Sequence, residues 1–264
     1  QHLSAESATR IRQVFKDNSE VMSKHEWDIP ATPLLTADIK LKPEFANSCV
    51  SCKILPTPQP VREEADRMAE QMARHGILTK RLLPSPSVSN FFVIKKKDNS
   101  YRGLYDARPQ NLMTEKSQVM LPSVPDILAH VSNKDHTSVI DISNAFFAIP
   151  ISPSSQKLFS FFNSKREQYS FTRACQGLKS SPAYLQALMN IVLADHPDVL
   201  CYADDCVLST KGTIDDHINK LNLLLQSFVR ARLKVKVKKL KLCTNNIEIV
   251  GVQFHKNSMS IPTA

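Results

Sequence analysis

Two adjacent aspartates, Asp204 and Asp205, stand between two short apolar runs and constrain the fold more than any other feature of the chain. The runs at 199–202 and 206–209 have strand composition, and acidic residues between two strands are typical of a hairpin turn. A third aspartate, Asp141, follows another apolar run. A carboxylate at the end of a buried strand is costly unless a cation pairs with it. The three acids therefore indicate a site for hard divalent cations such as Mg²⁺.

Carboxylates around two divalent cations suit phosphoryl and nucleotidyl transfer. Two ions roughly 3.5 to 4 Å apart can activate an attacking hydroxyl and stabilise the leaving oxygen. An isolated Asp-Asp pair, however, is more often a solvated turn, because acidic residues are common in turns. The choice between these interpretations depends on the sequence around the aspartates.

Charge and composition narrow the class of partner. The 264 residues carry 34 Lys and Arg against 25 Asp and Glu, a net charge of +9, which favours a polyanionic partner such as nucleic acid. No run resembles a membrane span and the N-terminus lacks a signal-peptide pattern, so we expect an intracellular protein that is not secreted and has no membrane partner. Six cysteines are few for this length and indicate a reducing compartment. The pair Cys49-x-x-Cys52 lacks further ligands for zinc, which favours two free thiols.

Helical and strand periodicities alternate irregularly along the chain, which indicates an α+β fold. The predicted helices cover 60–76, about 181–194, and a segment from Thr213 to Phe228 that opens with a capping-box pattern, Thr213-x-x-Asp216. The predicted strands cover 91–94, 101–105, 138–142, 199–202, 206–209 and 247–254, and the first two form a basic hairpin. Prolines at 30, 33, 43, 56, 58 and 60 predict an irregular lead-in over residues 1–59.

Several motifs from about Val61 to the C-terminus resemble the reverse transcriptases of retroviruses and long-terminal-repeat retrotransposons. Tyr202-Ala203-Asp204-Asp205 is similar to that family's Tyr-x-Asp-Asp box. Residues 141–147 resemble its first catalytic motif, and residues 176–182 resemble its central motif. Upstream, residues 93–97 and 101–111 resemble the fingers segment. All of these segments occur in the family's order.

The resemblance implies a right-hand polymerase fold, with fingers and a palm whose antiparallel sheet is backed by helices. We expect residues 60–135 to be mainly fingers and 136–264 mainly palm, with part of the fingers at about 150–175. The chain then ends at the start of the primer-grip hairpin, and thumb, connection and ribonuclease H regions are absent from it.

The same resemblance implies a role for each matching residue. Two Mg²⁺ ions, for which Mn²⁺ can substitute, are expected on the carboxylates of Asp141, Asp204 and Asp205 and the backbone carbonyl of Ile142. The incoming deoxynucleotide is expected to contact Lys96, Arg102, Asn144, Ala145, Phe146 and Gln176, with Phe146 as a steric gate against a ribose 2′-hydroxyl. Primer and template are expected to contact Tyr202, Ala203, Arg108 and Gly177.

The sequence departs from the family pattern at three of its positions. Asn144 replaces an acid, Ala203 replaces a larger apolar residue, and Cys175 replaces a proline. None of these changes affects the three aspartates, and Asn144 changes the chemistry of one expected nucleotide contact.

The leading hypothesis is an RNA-directed DNA polymerase that adds deoxynucleotides to a primer 3′-hydroxyl on an RNA or DNA template. A second is a truncated or domesticated retroelement fragment that binds nucleic acid or a partner without polymerising, and a longer parent Pol protein with ribonuclease H is a further alternative. A metal-dependent nuclease ranks last, because the motif at Gln176-Gly177, the gate Phe146 and the basic hairpin have no purpose there. The oligomeric state stays open, as does the choice among cytoplasm, nucleus and virus-like particle.

Overall fold

Two compact units divide the chain. The computed structural model describes residues 3–53, 55–96, 98–244, 246–249, 252–255 and 258–260. Unit 1 comprises Gln1–Pro30, Met120–Ala145 and Gln186–Ala264, and unit 2 comprises Ala31–Val119 and Phe146–Leu185. All three aspartates of the predicted metal site belong to unit 1.

Seven helices and thirteen strands occur in the part of the chain that the structure describes. The helices are α1 (Ala5–Asp17), α2 (Gln59–Arg74), α3 (Arg108–Met113), α4 (Val124–Val131), α5 (Pro153–Gln156), α6 (Ser181–Val192) and α7 (Ile214–Arg230). The strands are β1 (Val50–Ser51), β2 (Leu78–Lys80), β3 (Ser87–Ser89), β4 (Phe91–Lys95), β5 (Tyr101–Tyr105), β6 (His136–Asp141), β7 (Ser160–Phe162), β8 (Gln168–Phe171), β9 (Val199–Tyr202), β10 (Asp205–Thr210), β11 (Asn246–Ile249), β12 (Val252–His255) and β13 (Ser258–Ser260). None of these helices is long and apolar enough to cross a membrane.

The central sheet of unit 1 has the order β6-β10-β9, and both strand pairs are antiparallel. Helix α4 packs on it through Ile127 and Val131, which belong to one buried cluster with Val139 of β6 and Val207 of β10. Each lost contact in such a cluster costs stability, because interiors are close-packed. This arrangement confirms the predicted antiparallel sheet with helices behind it.

Helix α7 begins where the sequence predicts. Asp216 N donates to Thr213 Oγ1 at 3.1 Å, and Thr213 N donates to Asp216 Oδ2 at 3.2 Å, so the capping box is complete. The buried side chain of His217 lies one turn later, and Leu221, Leu225 and Phe228 continue the buried face. The predicted helical stripe is therefore core packing.

The N-terminal lead-in is not irregular throughout, contrary to the prediction for residues 1–59. Helix α1 occupies Ala5–Asp17, with Ser4 as its N-cap. Ile11 of this helix belongs to a buried cluster with Ile218 of α7. The prolines that suggested irregularity begin only at Pro30, and the helical spacing ahead of them is what the prediction overlooked.

The predicted strand at 247–254 is also wrong as a single element. It contains most of two antiparallel strands, β11 and β12, paired so that Ile249 lies opposite Val252. Alternation of apolar residues continues from one strand into the next, so periodicity alone does not separate two strands from one. Residues 250 and 251 lie outside the described residues.

Unit 2 contains a mixed five-stranded sheet of order β1-β3-β7-β8-β2 and the separate hairpin β4–β5. Phe91 of the hairpin stacks on Phe161 of β7 with ring centroids 4.6 Å apart. A Cβ at Gly103 would lie 2.7 Å from Met68 Sδ of α2 and 2.8 Å from the Phe91 ring. Glycine at position 103 is thus required by the close approach of the hairpin to α2.

The remaining predicted elements are present with small shifts at their ends. Helix α2 and strands β4, β5, β6, β9 and β10 lie where their patterns indicate, and α6 ends at Val192 rather than near residue 194. The expected assignment of residues 60–135 mainly to fingers and 136–264 mainly to palm stays a prediction. Residues 120–135 join unit 1 because α4 packs on its sheet, and residues 1–30 join it as well.

Candidate active site

Strand pairing brings two of the three aspartates face to face. In the antiparallel pair of β6 and β10, Asp141 lies directly opposite Asp205. On the other side of β10, Asp205 lies opposite Tyr202 of β9, which leaves Ala203 and Asp204 as a two-residue turn. Like charges directly opposite each other on a sheet are destabilising, so this arrangement favours a nearby cation.

The turn itself is fixed by its backbone. Ala203 has a φ of +54°, which belongs to the left-handed region that glycine favours. Ile142 N donates a hydrogen bond of 2.9 Å to Asp204 O, and this bond ties the residue after β6 to the turn. The three aspartates are therefore held on adjacent backbone segments of one unit.

A lysine-rich segment at residues 234–241 runs along the edge of β6. Lys236 N donates to Asp141 O at 3.0 Å, and Val139 and Lys241 exchange two backbone hydrogen bonds of 2.8 and 3.1 Å. The segment therefore continues the sheet as a short edge next to Asp141. It brings several ammonium groups to the end of β6 where the acids lie.

Two lysines neutralise the Asp141 carboxylate, of which only 10% is exposed. Lys239 Nζ donates to Oδ2 at 2.8 Å, and Lys236 Nζ forms an ion pair with Oδ1 at 2.8 Å. The Lys236 contact lacks hydrogen-bond geometry, so Oδ1 is buried without a hydrogen-bond donor among the residues described. The hydrogen bond to Asp141 is the main reason that the pKa of Lys239 is raised.

The pKa of Asp205 is raised, because burial disfavours its charged form. The neighbouring carboxylates of Asp204 and Asp141 raise it further by repulsion, while Lys239 and Lys236 act in the opposite direction. Burial and carboxylate repulsion together therefore outweigh the attraction of the two lysines.

The backbone holds the three aspartates on adjacent segments, whereas their side chains do not converge on one point. Within the described ranges, no group of three or more His, Cys, Asp or Glu side chains is placed to hold an ion. Repulsion between the carboxylates and the attraction of two lysines account for this separation. The donor set still fits a hard divalent cation, because Asp141 retains a buried oxygen without a hydrogen bond and faces Asp205.

Lys236 and Lys239 are functional candidates that sequence reasoning missed. The recurring lysines between residues 234 and 241 indicate an exposed basic segment, but nothing local to them points to Asp141. The contact joins positions 98 residues apart, and it becomes visible only in the folded chain.

The remaining predicted site residues are divided between the units. Unit 1 also contains Ile142, Asn144, Ala145, Tyr202 and Ala203, and unit 2 contains Lys96, Arg102, Arg108, Phe146, Gln176 and Gly177. In unit 1, the Asn144 side-chain amide donates to Glu26 O at 3.3 Å, and Ala145 is buried. Tyr202 is half-buried and packs against the cluster beneath the sheet.

In unit 2, the residues that are predicted to bind phosphate lie near the tip of the basic hairpin. Arg102 is exposed on β5 opposite Ile94, and half-buried Lys96 follows β4. Lys96 N donates to Ser100 O at 2.7 Å, which closes the hairpin. Phe146 is half-buried in the 3₁₀ helix Ala145–Ala148.

The segment with Gln176 and Gly177 is clamped by Asn111. The Asn111 side chain donates to Gly177 O at 2.7 Å and accepts from Lys179 N at 2.9 Å, and Lys179 Nζ donates to Asn111 O at 2.6 Å. Gly177 itself has a φ of +93°. Gln176 and Gly177 are both exposed, so the clamp presents them to solvent.

Arg108 already has an ionic partner. Its guanidinium forms a bidentate pair with Asp106, with distances of 2.8 and 2.7 Å. The Arg108 side chain is 85% exposed, so this surface pair leaves part of the guanidinium open to a further anion.

Comparison with known proteins identifies the family. The model of the reverse transcriptase (RNA-dependent DNA polymerase) family matches residues 94–254. The Gag-Pol polyprotein of walleye dermal sarcoma virus is 30% identical over 225 residues, which cover 83% of this chain and 13% of that protein. The retrovirus-related Pol polyprotein from transposon opus of Drosophila melanogaster is 28% identical over 211 residues, 76% of this chain and 20% of that protein.

Solved structures confirm the fold. The foamy viral protease-reverse transcriptase, solved in complex with an RNA/DNA hybrid, superposes with a TM-score of 0.86 at 20% identity, covering 99% of this chain and 34% of that one. The native prototype foamy virus protease-reverse transcriptase gives 0.84 at 22% identity and the same coverage. This chain thus spans at most a fifth of the first curated relatives and about a third of these structures. The matched model, which covers more than half of the chain, shows that the chain belongs to the reverse transcriptase family.

Proposed function

We propose that this chain carries the polymerase site of an RNA-directed DNA polymerase, which adds deoxynucleotides to a primer 3′-hydroxyl. The observation that carries the proposal is the pairing of Asp141 with Asp205 on neighbouring strands, next to Asp204 in the turn. Family membership gives this arrangement its interpretation. An isolated pair of facing acids in a protein of another family would not support it.

Members of this family use divalent metal ions. In this chain, Asp141, Asp204, Asp205 and the Ile142 carbonyl are proposed to hold two Mg²⁺ ions, for which Mn²⁺ can substitute. Such ions activate the attacking hydroxyl and stabilise the leaving oxygen of an in-line displacement. The protein supplies geometry, because the β9–β10 hairpin and the hydrogen bond from Ile142 N to Asp204 O hold the acids together.

The incoming deoxynucleotide is proposed to contact both charged and bulky side chains. Lys96 and Arg102 bind its triphosphate, since an ammonium and a planar guanidinium both suit phosphate oxygens. Phe146 excludes a ribose 2′-hydroxyl by its bulk, and Gln176 lies against the nucleotide. The Asn144 side-chain amide already donates a hydrogen bond to Glu26 O. Asn144 and Ala145 are therefore proposed to contribute to the nucleotide site through the position of their backbone.

A primed RNA or DNA template is the proposed macromolecular partner, contacted by Tyr202, Ala203, Arg108 and Gly177. Foamy viral protease-reverse transcriptase has been solved with an RNA/DNA hybrid and with double-stranded DNA. The net charge of +9 supports the same class of partner, and binding should weaken steeply with salt. Because the matched relatives are Pol polyproteins of viruses and transposons, we infer that the protein acts inside cells or in particles.

The test is incorporation of radiolabelled dTTP on poly(rA) primed with oligo(dT), with Mg²⁺ or Mn²⁺. The unmodified chain is compared with the double variant Asp204→Asn, Asp205→Asn. Asp195→Asn, at an exposed position of unit 1, is the matched control for an acid-to-amide change. Loss of incorporation in the double variant alone supports the proposal.

Binding of labelled primer-template, measured by fluorescence anisotropy, separates the alternatives. Absence of incorporation by a folded, unmodified chain that binds primer-template would contradict the polymerase proposal for this chain. It would favour a fragment that binds nucleic acid without polymerising.

A further inference from the structure

Two cysteines flank the catalytic turn and lie directly opposite each other. Cys201 is the residue before Tyr202 on β9, Cys206 is the residue after Asp205 on β10, and the two are register partners. Their Sγ atoms are 3.1 Å apart. Of the six cysteines, these two therefore form a close thiol pair.

The backbone at this pair can accept a disulfide without rearrangement. Directly opposed residues of an antiparallel pair have Cα atoms about 4.5 to 5.5 Å apart. Disulfides span Cα separations of about 4.4 to 6.8 Å. A bond between Cys201 and Cys206 therefore requires the sulfur atoms to close by about 1 Å, mainly through rotation of the side chains.

The thiols are also linked to the turn itself. Cys206 Sγ donates to Cys201 Sγ, and Cys201 Sγ in turn donates to Ala203 O at 3.3 Å. Ala203 O is the carbonyl that immediately precedes Asp204, and Ala203 has a left-handed backbone. The reduced pair therefore supports the turn that carries the two adjacent aspartates.

We propose that Cys201 and Cys206 are an oxidative modification site, at which a small peroxide forms a disulfide that controls the catalytic turn. Cys201 is 4% exposed and Cys206 is fully buried, so Cys201 is the sulfur that a small oxidant reaches first. Its sulfur attacks the peroxide, the O–O bond breaks, and Cys201 becomes a sulfenic acid while water leaves. Cys206 sulfur then displaces the sulfenic hydroxyl, the S–S bond forms, and the Cys206 proton leaves with that hydroxyl as a second water. Hydrogen peroxide is reduced by two electrons, which the two thiols supply.

The modification removes the hydrogen bond that holds Ala203 O, because both thiol hydrogens leave. The turn that carries Asp204 then loses this support and can shift. Displacements of about 1 Å at reacting groups can lower a rate about a hundredfold. The disulfide therefore lowers polymerase activity reversibly, and this second part of the inference rests on the proposed function.

The bond is tested by mass, independently of activity. The parent is the variant Cys49→Ser, Cys52→Ser, which removes the more exposed cysteines. After hydrogen peroxide, the protein is denatured, alkylated with N-ethylmaleimide and digested with trypsin, which leaves residues 180–211 as one peptide. That peptide is expected to be unalkylated and lighter by two hydrogen atoms, and dithiothreitol should restore two alkylation sites. Full alkylation of both cysteines under conditions that oxidise Cys49 and Cys52 in the unmodified chain would overturn the assignment.

Incorporation of dTTP tests the control of the turn. Peroxide should lower the activity of the parent by about tenfold or more, and dithiothreitol should restore it. Cys206→Ala, in the parent background, cannot form the bond and keeps the Cys201 thiol that donates to Ala203 O, so peroxide should lower its activity by less than about twofold. Formation of the disulfide with unchanged incorporation would refute the proposal that the disulfide controls the turn. Inactivity before oxidation would count against the proposed function, and the mass result alone would then decide whether the modification occurs.

Discussion

Lys239 Nζ lies 2.8 Å from Asp141 Oδ2 and donates a hydrogen bond to it. A divalent cation bound by Asp141 needs this carboxylate, so the lysine and the cation compete for it. Because Lys239→Met removes this competition, we expect the variant to bind Mn²⁺ about fivefold to tenfold more tightly in the absence of nucleic acid. A tenfold change in affinity corresponds to about 1.4 kcal/mol. Electron paramagnetic resonance of free Mn²⁺ measures this directly.

Lys238→Met is the control for the change in net charge. Lys238 lies on the same 3₁₀ helix, Val237–Lys239, and its side chain is exposed. Because long-range effects of one surface charge are screened by salt, Lys238→Met should leave the affinity nearly unchanged. Equal affinities of the two variants would show that Lys239 does not compete with the metal.

Local patterns predicted the β9–β10 hairpin and helix α7 well, because their signals lie within a few residues. The apolar runs around Asp204 and the capping box at Thr213 each specify an element without help from the rest of the chain. The pairing of Lys239 with Asp141 has no such local signal, since it depends on how the segment at 234–241 packs along β6. The Cys201–Cys206 pair lies between these cases, because the predicted hairpin placed the two cysteines on neighbouring strands but did not specify that they face each other.

Asp205 is expected to limit stability at neutral pH. Burial and the carboxylates of Asp204 and Asp141 raise its pKa, so the folded state binds a proton more readily than the unfolded state. The contribution of Asp205 to folding stability is therefore favourable at pH values below its ordinary pKa of 3.8. This contribution is lost as pH rises through the raised pKa. Asp205→Asn removes a facing like charge and should stabilise the metal-free protein at pH 7 by a few tenths to about 1 kcal/mol.

Urea unfolding at pH 7 in a chelating buffer measures this effect. Asp195→Asn, the exposed control, should leave the midpoint unchanged, and the same comparison at pH 3 should show a smaller difference for Asp205→Asn. A destabilised Asp205→Asn variant at pH 7 would mean that the lysines, rather than carboxylate repulsion, dominate the energy of Asp205.

His217 links the two strands that carry facing aspartates. Its Nε2 lies 2.8 Å from Ser138 Oγ on β6, and its Nδ1 lies 2.8 Å from Thr210 Oγ1 on β10. Burial, and secondarily His136 and Lys220, lower the pKa of His217 from 6.5 to about 4. The contribution of neutral His217 to stability is therefore fully present above pH 6.5. It is lost as pH falls toward about 4, which lowers the free energy of unfolding by at most about 3 kcal/mol.

Unfolding free energies of the wild type and His217→Gln between pH 7 and pH 4 test this contribution. The glutamine does not titrate, so the variant should be less stable at pH 7 but should lose less stability over this range. A pH dependence that is the same in His217→Gln and the wild type would assign it to other groups.

Arg102 is expected to bind the nucleotide triphosphate through its exposed guanidinium on β5. Hydrogen bonds to charged groups contribute about 1.5 to 3 kcal/mol, so Arg102→Ala should raise KM for dTTP by about tenfold or more. Arg102→Lys keeps the charge but loses the planar fork of the guanidinium, so its KM for dTTP should lie between those of the wild type and Arg102→Ala. Steady-state incorporation on poly(rA) primed with oligo(dT) gives KM and kcat separately.

Lys95→Ala separates a specific contact of Arg102 from the general charge of the hairpin. Lys95 is exposed on β4 and pairs in register with Tyr101, the neighbour of Arg102. Its removal deletes the same charge from the same hairpin, so a purely electrostatic attraction of dTTP would raise KM equally in both variants and would diminish at high salt. A specific contact requires a larger effect of Arg102→Ala that persists at high salt, because a hydrogen-bonded pair in a closed site is screened less. Equal, salt-sensitive effects would therefore remove Arg102 from the nucleotide site.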